Sequence, residues 1–291
     1  MAVYGRTYRG YAGPLTAERE RLLVIPRYAL RDLFNSKFFW AFFVLCFVPA
    51  LIASIRIYLA HNAEAINILK LPQAVIDQLL AIQPSFFRNW VLIPQAALAF
   101  LMTLFVGPAL VSPDLRNNAM PLYLGRPIFR SEYVLGKLIV LALLLSAITW
   151  VPALALFGFQ SYLAGFEWFG QNYWVAGSLF LTSWALILTL SFVALAISAV
   201  VRWKPVARLL FFALPFVLSA FAGVMNLAFR TRLGDVLVFP ELLWSQWNSL
   251  LGLPLSENAV SPVASWIMFG LAILLSIAIL ARKVRAYEVE R

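Results

Sequence analysis

Six apolar stretches, each at least twenty residues long, constrain this chain more than anything else in it. They run over 38–60, 90–112, 138–158, 173–201, 209–229 and 262–281. A helix crossing about 30 Å of hydrocarbon needs about 20 mostly apolar residues. Inside hydrocarbon the backbone must satisfy its own N–H and C=O groups, and a helix does so within one segment. The sequence therefore reads as an all-α polytopic membrane protein with six transmembrane helices. Composition agrees. The chain is 63% hydrophobic and 12% charged, with a mean hydropathy of +0.84. A soluble domain is nearer half apolar and about a quarter charged. Five of the six stretches hold no charged residue, and the first carries Arg56 near its far end. The stem of that arginine is long enough to snorkel to the interface. The fourth stretch is long enough to tilt, or to extend beyond the bilayer. No cleavable leader is expected, because the first apolar run begins at Phe38 and is itself long enough to span.

The charges divide by side. The segments before span one, between spans two and three, between spans four and five, and after span six hold 18 Lys and Arg. The other set holds 5: Arg56, Lys70, Arg88, Arg230 and Arg232. Acidic residues split 7 to 6 and carry no signal. Cytoplasmic loops collect Lys and Arg, so both termini are expected in the cytoplasm. The expected location is the plasma membrane, the inner membrane in a bacterium. One domain is expected over 1–291: a cytoplasmic or interfacial segment 1–37, a membrane domain 38–281 and a tail 282–291. The net charge of +10 comes from this asymmetry. No basic domain stands apart from the membrane, so no nucleic-acid partner is expected.

The polar segments have structure of their own. Ala29, Leu30, Leu33 and Phe34 fall on one helical face with Pro26, and Arg27, Arg31, Asp32 and Asn35 fall opposite. Pro26 suits a first helical turn. This predicts an amphipathic helix lying on the inner leaflet and feeding span one. In the outer segment after span one, Pro72 opens a short predicted helix carrying Val75, Ile76, Leu79 and Leu80, and Phe86, Phe87 and Trp90 mark the return at the aromatic belt. Before span six, Leu243, Trp244, Trp247, Leu250 and Leu251 repeat at helical spacing, with Glu241, Ser245, Gln246 and Asn248 opposite. That pattern reads as an anchor on or in the outer surface.

Several chemistries lack their residues. There is no G-x-x-x-x-G-K-[ST] phosphate loop for ATP. One histidine, His61, and one cysteine, Cys46, cannot build a His cluster or a Cys-based zinc site, and no cofactor is expected in this chain. The spans contain no Asp or Glu for an ion-coupled pump to charge and discharge. Most polar residues in the spans read as packing residues that bond each other or their own backbone. Gln95, Thr103 and Asn226 are the candidates for facing a substrate path.

The segment between spans two and three is longer than a tight connection needs. It reads GPALVSPDLRNNAMPLYLGRPIFRSEYVLGKLIVL. It mixes Asp114, Arg116, Arg126, Arg130 and Glu132 with an apolar stretch containing Met120, Leu122 and Tyr123. This makes it a candidate docking element. It resembles the corresponding loop of the permease subunits of type-2 ABC transporters. The likeness is carried by Asp114, the turn Asn117–Asn118, Leu122 to Leu124, Arg126–Pro127, Arg130, Tyr133 and Gly136–Lys137. It departs from the commoner Glu-x-x-x-Gly-Thr turn, since Asn117, Asn118 and Ala119 stand there. The resemblance implies a permease, by likeness an exporter, driven by a separate cytoplasmic ABC ATPase that holds the ATP and Mg. It also implies a second permease copy or a related chain as partner. In that arrangement Asp114, Arg116, Arg126, Arg130 and Glu132 set register on the ATPase. Met120, Leu122 and Tyr123 form the buried anchor, and Arg27 and Arg31 brace the partner from the side. An apolar, aromatic interior suits a lipidic or amphipathic substrate better than a small ion. The alternatives are a non-transporting anchor or assembly subunit and an integral-membrane enzyme acting on lipid. The outer acids Glu64, Asp77, Glu167, Asp235 and Glu241 are scattered among loops, which disfavours the enzyme.

Overall fold

A computed structural model describes residues 18–62, 82–117, 130–257 and 259–283, with side chains from residue 23 onward. Every regular element among the described residues is helical. Helix α1 spans Glu18–Phe34. Six helical stretches long and apolar enough to cross a membrane follow: Lys37–Ala60, Pro84–Arg116, Arg130–Ala164, Phe166–Val200, Lys204–Phe229 and Pro262–Lys283. We call these spans one to six. A 3-10 turn, Leu233–Leu237, and a helix, α2, Phe239–Leu250, lie between spans five and six.

Proline sets the breaks. Span one consists of Lys37–Leu45 and Val48–Ala60, because Pro49 has no N–H to give and its ring crowds the carbonyl one turn earlier. Span two enters through a π-helical turn, Phe87–Leu92, just before Pro94, and breaks again at Pro108. Span three is interrupted at Thr149, three residues before Pro152. Span four runs unbroken for 35 residues. At 1.5 Å per residue it is about 52 Å long, well beyond the hydrocarbon thickness. It is also the most buried span, and spans two, three and six pack around it. Spans one and five are the least buried.

Three expectations change. Span two begins at Pro84 rather than at Trp90 and runs to Arg116; span three begins at Arg130 rather than Leu138. A hydrogen-bond ladder does not stop where hydrophobicity does, so polar ends continue as helix. Pro26 lies inside α1 instead of opening it, and the predicted apolar face (Ala29, Leu30, Leu33, Phe34) packs on the protein core. Leu23, Val24, Tyr28, Arg27 and Arg31 form its exposed side. The predicted polar face of α2 is solvated only at Glu241: Ser245, Gln246 and Asn248 are as buried as Leu242, Leu243 and Trp247. Ser245 donates to the Val260 carbonyl, and Asn248 accepts from Arg88. The helix predicted after Pro72 lies outside the described residues.

Several hydroxyls in the spans are satisfied by their own helix, while Ser183 and Ser191 are buried with no hydrogen-bond partner among the described residues. Thr103, Thr149 and Thr189 each donate to the carbonyl four residues earlier, at 2.7, 2.7 and 2.8 Å. His61 meets the Ile57 carbonyl at 3.0 Å, at the end of span one. Arg56 lies over the rings of Phe86 and Trp90, 5.2 and 4.5 Å from their centroids, so its charge rests on span two.

Candidate functional site

The described parts of the candidate docking segment are its two shoulders, the last turns of span two and the first turns of span three. Each is built from the backbone outward.

Span two approaches span four at Gly107. A Cβ on that residue would stand 2.6 Å from Ala194 Cβ, so only glycine permits the crossing. Pro108 follows and interrupts the ladder. Ser198 of span four repairs it. Its Oγ accepts from the backbone N–H of Val111 at 3.2 Å and of Ser112 at 2.8 Å, and it donates to the Pro108 carbonyl at 3.1 Å. The Ser112 hydroxyl returns a bond to the Ser198 carbonyl at 3.1 Å. All of these groups are buried. The end of span two is thus hydrogen-bonded into the central helix at the place where its own ladder is weakest.

One turn further on, Asp114 faces span three. Lys137 Nζ lies 2.9 Å from Asp114 Oδ2, with side-chain exposures of 10% and 16%. The Tyr133 hydroxyl donates to the same oxygen at 2.6 Å. Tyr133 and Lys137 are one turn apart on span three, and Nζ stands 5.4 Å from the Tyr133 ring centroid. Tyr133 is fully buried. A carboxylate held by an ammonium and a phenol is a charge-assisted knot. It clamps the two shoulders of the segment to each other. Gly136, between the two span-three partners, lies against Ile25 of α1; a Cβ there would come within 3.1 Å of Ile25 Cβ. Helix α1, the two shoulders and span four therefore meet at one end of the bundle.

The sequence-predicted site residues divide accordingly. Asp114 is engaged inside the chain. Arg116, Arg130, Arg27 and Arg31 are exposed at the same end, and Glu132 is half-buried beside them. Met120, Leu122, Tyr123 and Arg126 lie outside the described residues. Lys137, Ser112 and Ser198 were not among the predicted site residues. The four-residue spacing of Tyr133 and Lys137 was the available signal for the knot; nothing local announced Ser198 as a repair for Pro108.

The three candidates for a substrate path lie apart. Thr103 is buried and bonded to its own helix. Asn226 gives both ends of its amide to the 3-10 turn after span five: Nδ2 donates to Asp235 at 2.7 Å and Oδ1 accepts from the Gly234 N–H at 2.8 Å. Gln95 is buried, and neither of its amide atoms has a hydrogen-bond partner among the described residues.

Two apolar cavities flank span five. One, of about 130 Å³, lies among Phe100, Leu190, Phe211, Pro215, Leu242 and Phe269. The other, of about 480 Å³, lies between span two, span five and α2, and shares Phe100, Pro215 and Phe239 with the first. Neither is lined by an acid or a base.

Neither a scan against protein-family models nor a comparison with curated protein sequences returns a match. The likeness to type-2 ABC permeases therefore rests on the residues from Asp114 to Lys137 and on the arrangement of spans.

Proposed function

We propose that this chain is the membrane-spanning permease subunit of an ATP-driven transporter, an exporter by resemblance. A separate cytoplasmic ABC ATPase docks on the segment between spans two and three. Two such chains, or this chain and a relative, make the path. The observation that carries this reading is the buried Lys137–Asp114–Tyr133 knot. A partner that pulls on an ordinary loop only extends it. A partner that pulls on a loop whose shoulders are clamped together, and hydrogen-bonded to the central span through Ser198, moves three spans at once. The exposed cations Arg116 and Arg130, with Arg27 and Arg31 on α1, supply an electropositive docking rim. The basic end is then cytoplasmic, with α1 along the inner leaflet and Leu23, Val24 and Tyr28 toward lipid.

The test is co-expression with the ATPase encoded beside this chain, followed by purification through a tag on this chain. The expected result is co-elution of the ATPase with ATP hydrolysis in lipid. Purified chain with no associated ATPase under gentle conditions would overturn the reading and favour the anchor.

A further inference from the structure

We propose that the furrow between spans three and six holds an anionic phospholipid of the surrounding bilayer, its headgroup on Arg130 and Ser131 and one acyl chain against Phe192. The inference goes beyond the permease reading and does not rest on it.

Helix packing makes the furrow. Spans three and six both pack on span four and barely touch each other, and two cylinders laid on a third leave a gap between them. The gap measures about 490 Å³, inside the roughly 300–1,000 Å³ common for ligand sites. Val134 and Leu135 line it from span three, Ile277 and Leu280 from span six, and Phe192 from span four. Leu135 is 44% exposed and Ile277 43%, so the furrow opens sideways, the direction from which a membrane-dissolved chain arrives.

Charge complementarity selects the occupant. Arg130 and Ser131 also line the furrow. They precede Val134 and Leu135 by one turn on the same face of span three, so the furrow is polar at the basic end of the bundle and apolar beyond it. No acid lines it, and among the described residues no carboxylate pairs with Arg130. Asp114, at the same end, is already held by Lys137 and Tyr133. Arg282 and Lys283, in the last turn of span six, do not line the furrow but raise the positive potential at its mouth. Planar guanidinium is well matched to phosphate oxygens, and the Ser131 hydroxyl is a second donor. An apolar helix laid in the furrow would leave the guanidinium without a countercharge, and a soluble anion would leave the apolar end empty. An anionic phospholipid uses both ends. It would also join span six to the first turn of span three, which otherwise share only span four.

The experiment uses the full chain in nanodiscs of phosphatidylcholine, doped with a trace phosphatidylglycerol bearing a photoreactive group on one acyl chain. No ATPase is present, so a failure here says nothing against docking of an ATPase. The expected result is labelling of peptides containing 130–135 and 277–281, displaced by excess unlabelled phosphatidylglycerol and not by inorganic phosphate. Labelling should fall about tenfold in Arg130→Gln and persist in Arg130→Lys, which keeps the charge. Lys204→Gln removes an exposed cation at the same end of the bundle but outside the furrow and should change nothing. Ala281→Trp, which fills the mouth of the furrow from span six, should suppress labelling without altering Arg130. Equal labelling by a phosphatidylcholine probe, or labelling unchanged by Arg130→Gln, would overturn the proposal and identify ordinary contact with surrounding lipid. An equal loss in Lys204→Gln would overturn it in favour of diffuse surface charge. Displacement by inorganic phosphate would overturn it too, leaving a free-anion site.

Discussion

Lys137 Nζ and Asp114 Oδ2 lie 2.9 Å apart, with Asp114 near the end of span two and Lys137 near the start of span three. Both side chains are largely buried, so breaking the pair strands a charge. Lys137→Met should cost about 3–5 kcal/mol, read as a fall in unfolding midpoint in a fixed detergent. Asp114→Asn combined with Lys137→Met should cost less than either single change, because it removes both charges and leaves Tyr133 an acceptor. Additive losses would mean that the two residues do not interact.

Ser198→Ala should destabilise by about 1–3 kcal/mol, because it removes the oxygen that accepts from the Val111 and Ser112 N–H groups. Ser219, whose hydroxyl among the described residues bonds to its own helix, is the control: Ser219→Ala should be near neutral. Equal effects from the two substitutions would remove the special role of Ser198.

Gly107→Ala places a methyl 2.6 Å from Ala194 Cβ. Overpacking of this kind costs about 1–3 kcal/mol. Ala194→Gly in the same chain should recover part of the loss. A double-mutant cycle with zero coupling would show that the two spans are not in contact there.

Sidedness is open to direct labelling. Cys46 is buried and should resist membrane-impermeant maleimide in intact cells and in inverted vesicles. In a Cys46→Ser background, cysteines at Arg27 and Arg130 should label only in inverted vesicles. Cysteines at Gly165 and Arg232 should label only in intact cells. The reverse pattern would place the basic end outside and exclude docking by a cytoplasmic ATPase.

Asn226→Ala should lower stability by about 1–3 kcal/mol, since both ends of the amide hold the 3-10 turn Leu233–Leu237. Normal stability with lost transport would instead restore Asn226 to a substrate path.

The spans were legible because burial in hydrocarbon demands long apolar runs, and Phe38 to Ala60 or Pro262 to Ala281 could hardly be anything else. Their ends were less legible. The turn from Pro113 to Arg116 is polar, yet it stays helical because its backbone ladder continues and Asp114 finds its countercharge within the chain. Periodicity tells which residues share a face and not what that face meets. Thus the faces of α1 and α2 were identified, while the burial of Gln246 and Asn248 was not. Pairings such as Ser112 with Ser198, 86 residues apart, depend on which helices become neighbours. Of the candidate site, the exposed arginines were readable from charge alone; the knot beneath them required the fold.

The measurement that bears most directly on the central proposal is the amount of ATPase retained per copy of this chain after affinity purification, for wild type and for Arg126→Glu combined with Arg130→Glu. Both chains must first be shown to reach the membrane at equal levels and to unfold at the same midpoint. If the segment between spans two and three is the docking element, wild type retains the ATPase, and the double reversal releases it or abolishes its hydrolysis in lipid. Retention is also expected to weaken as salt rises, because exposed charges are screened. If the double-reversed chain keeps a full complement of active ATPase, the segment is only a basic connection, and the coupling assigned to it is wrong.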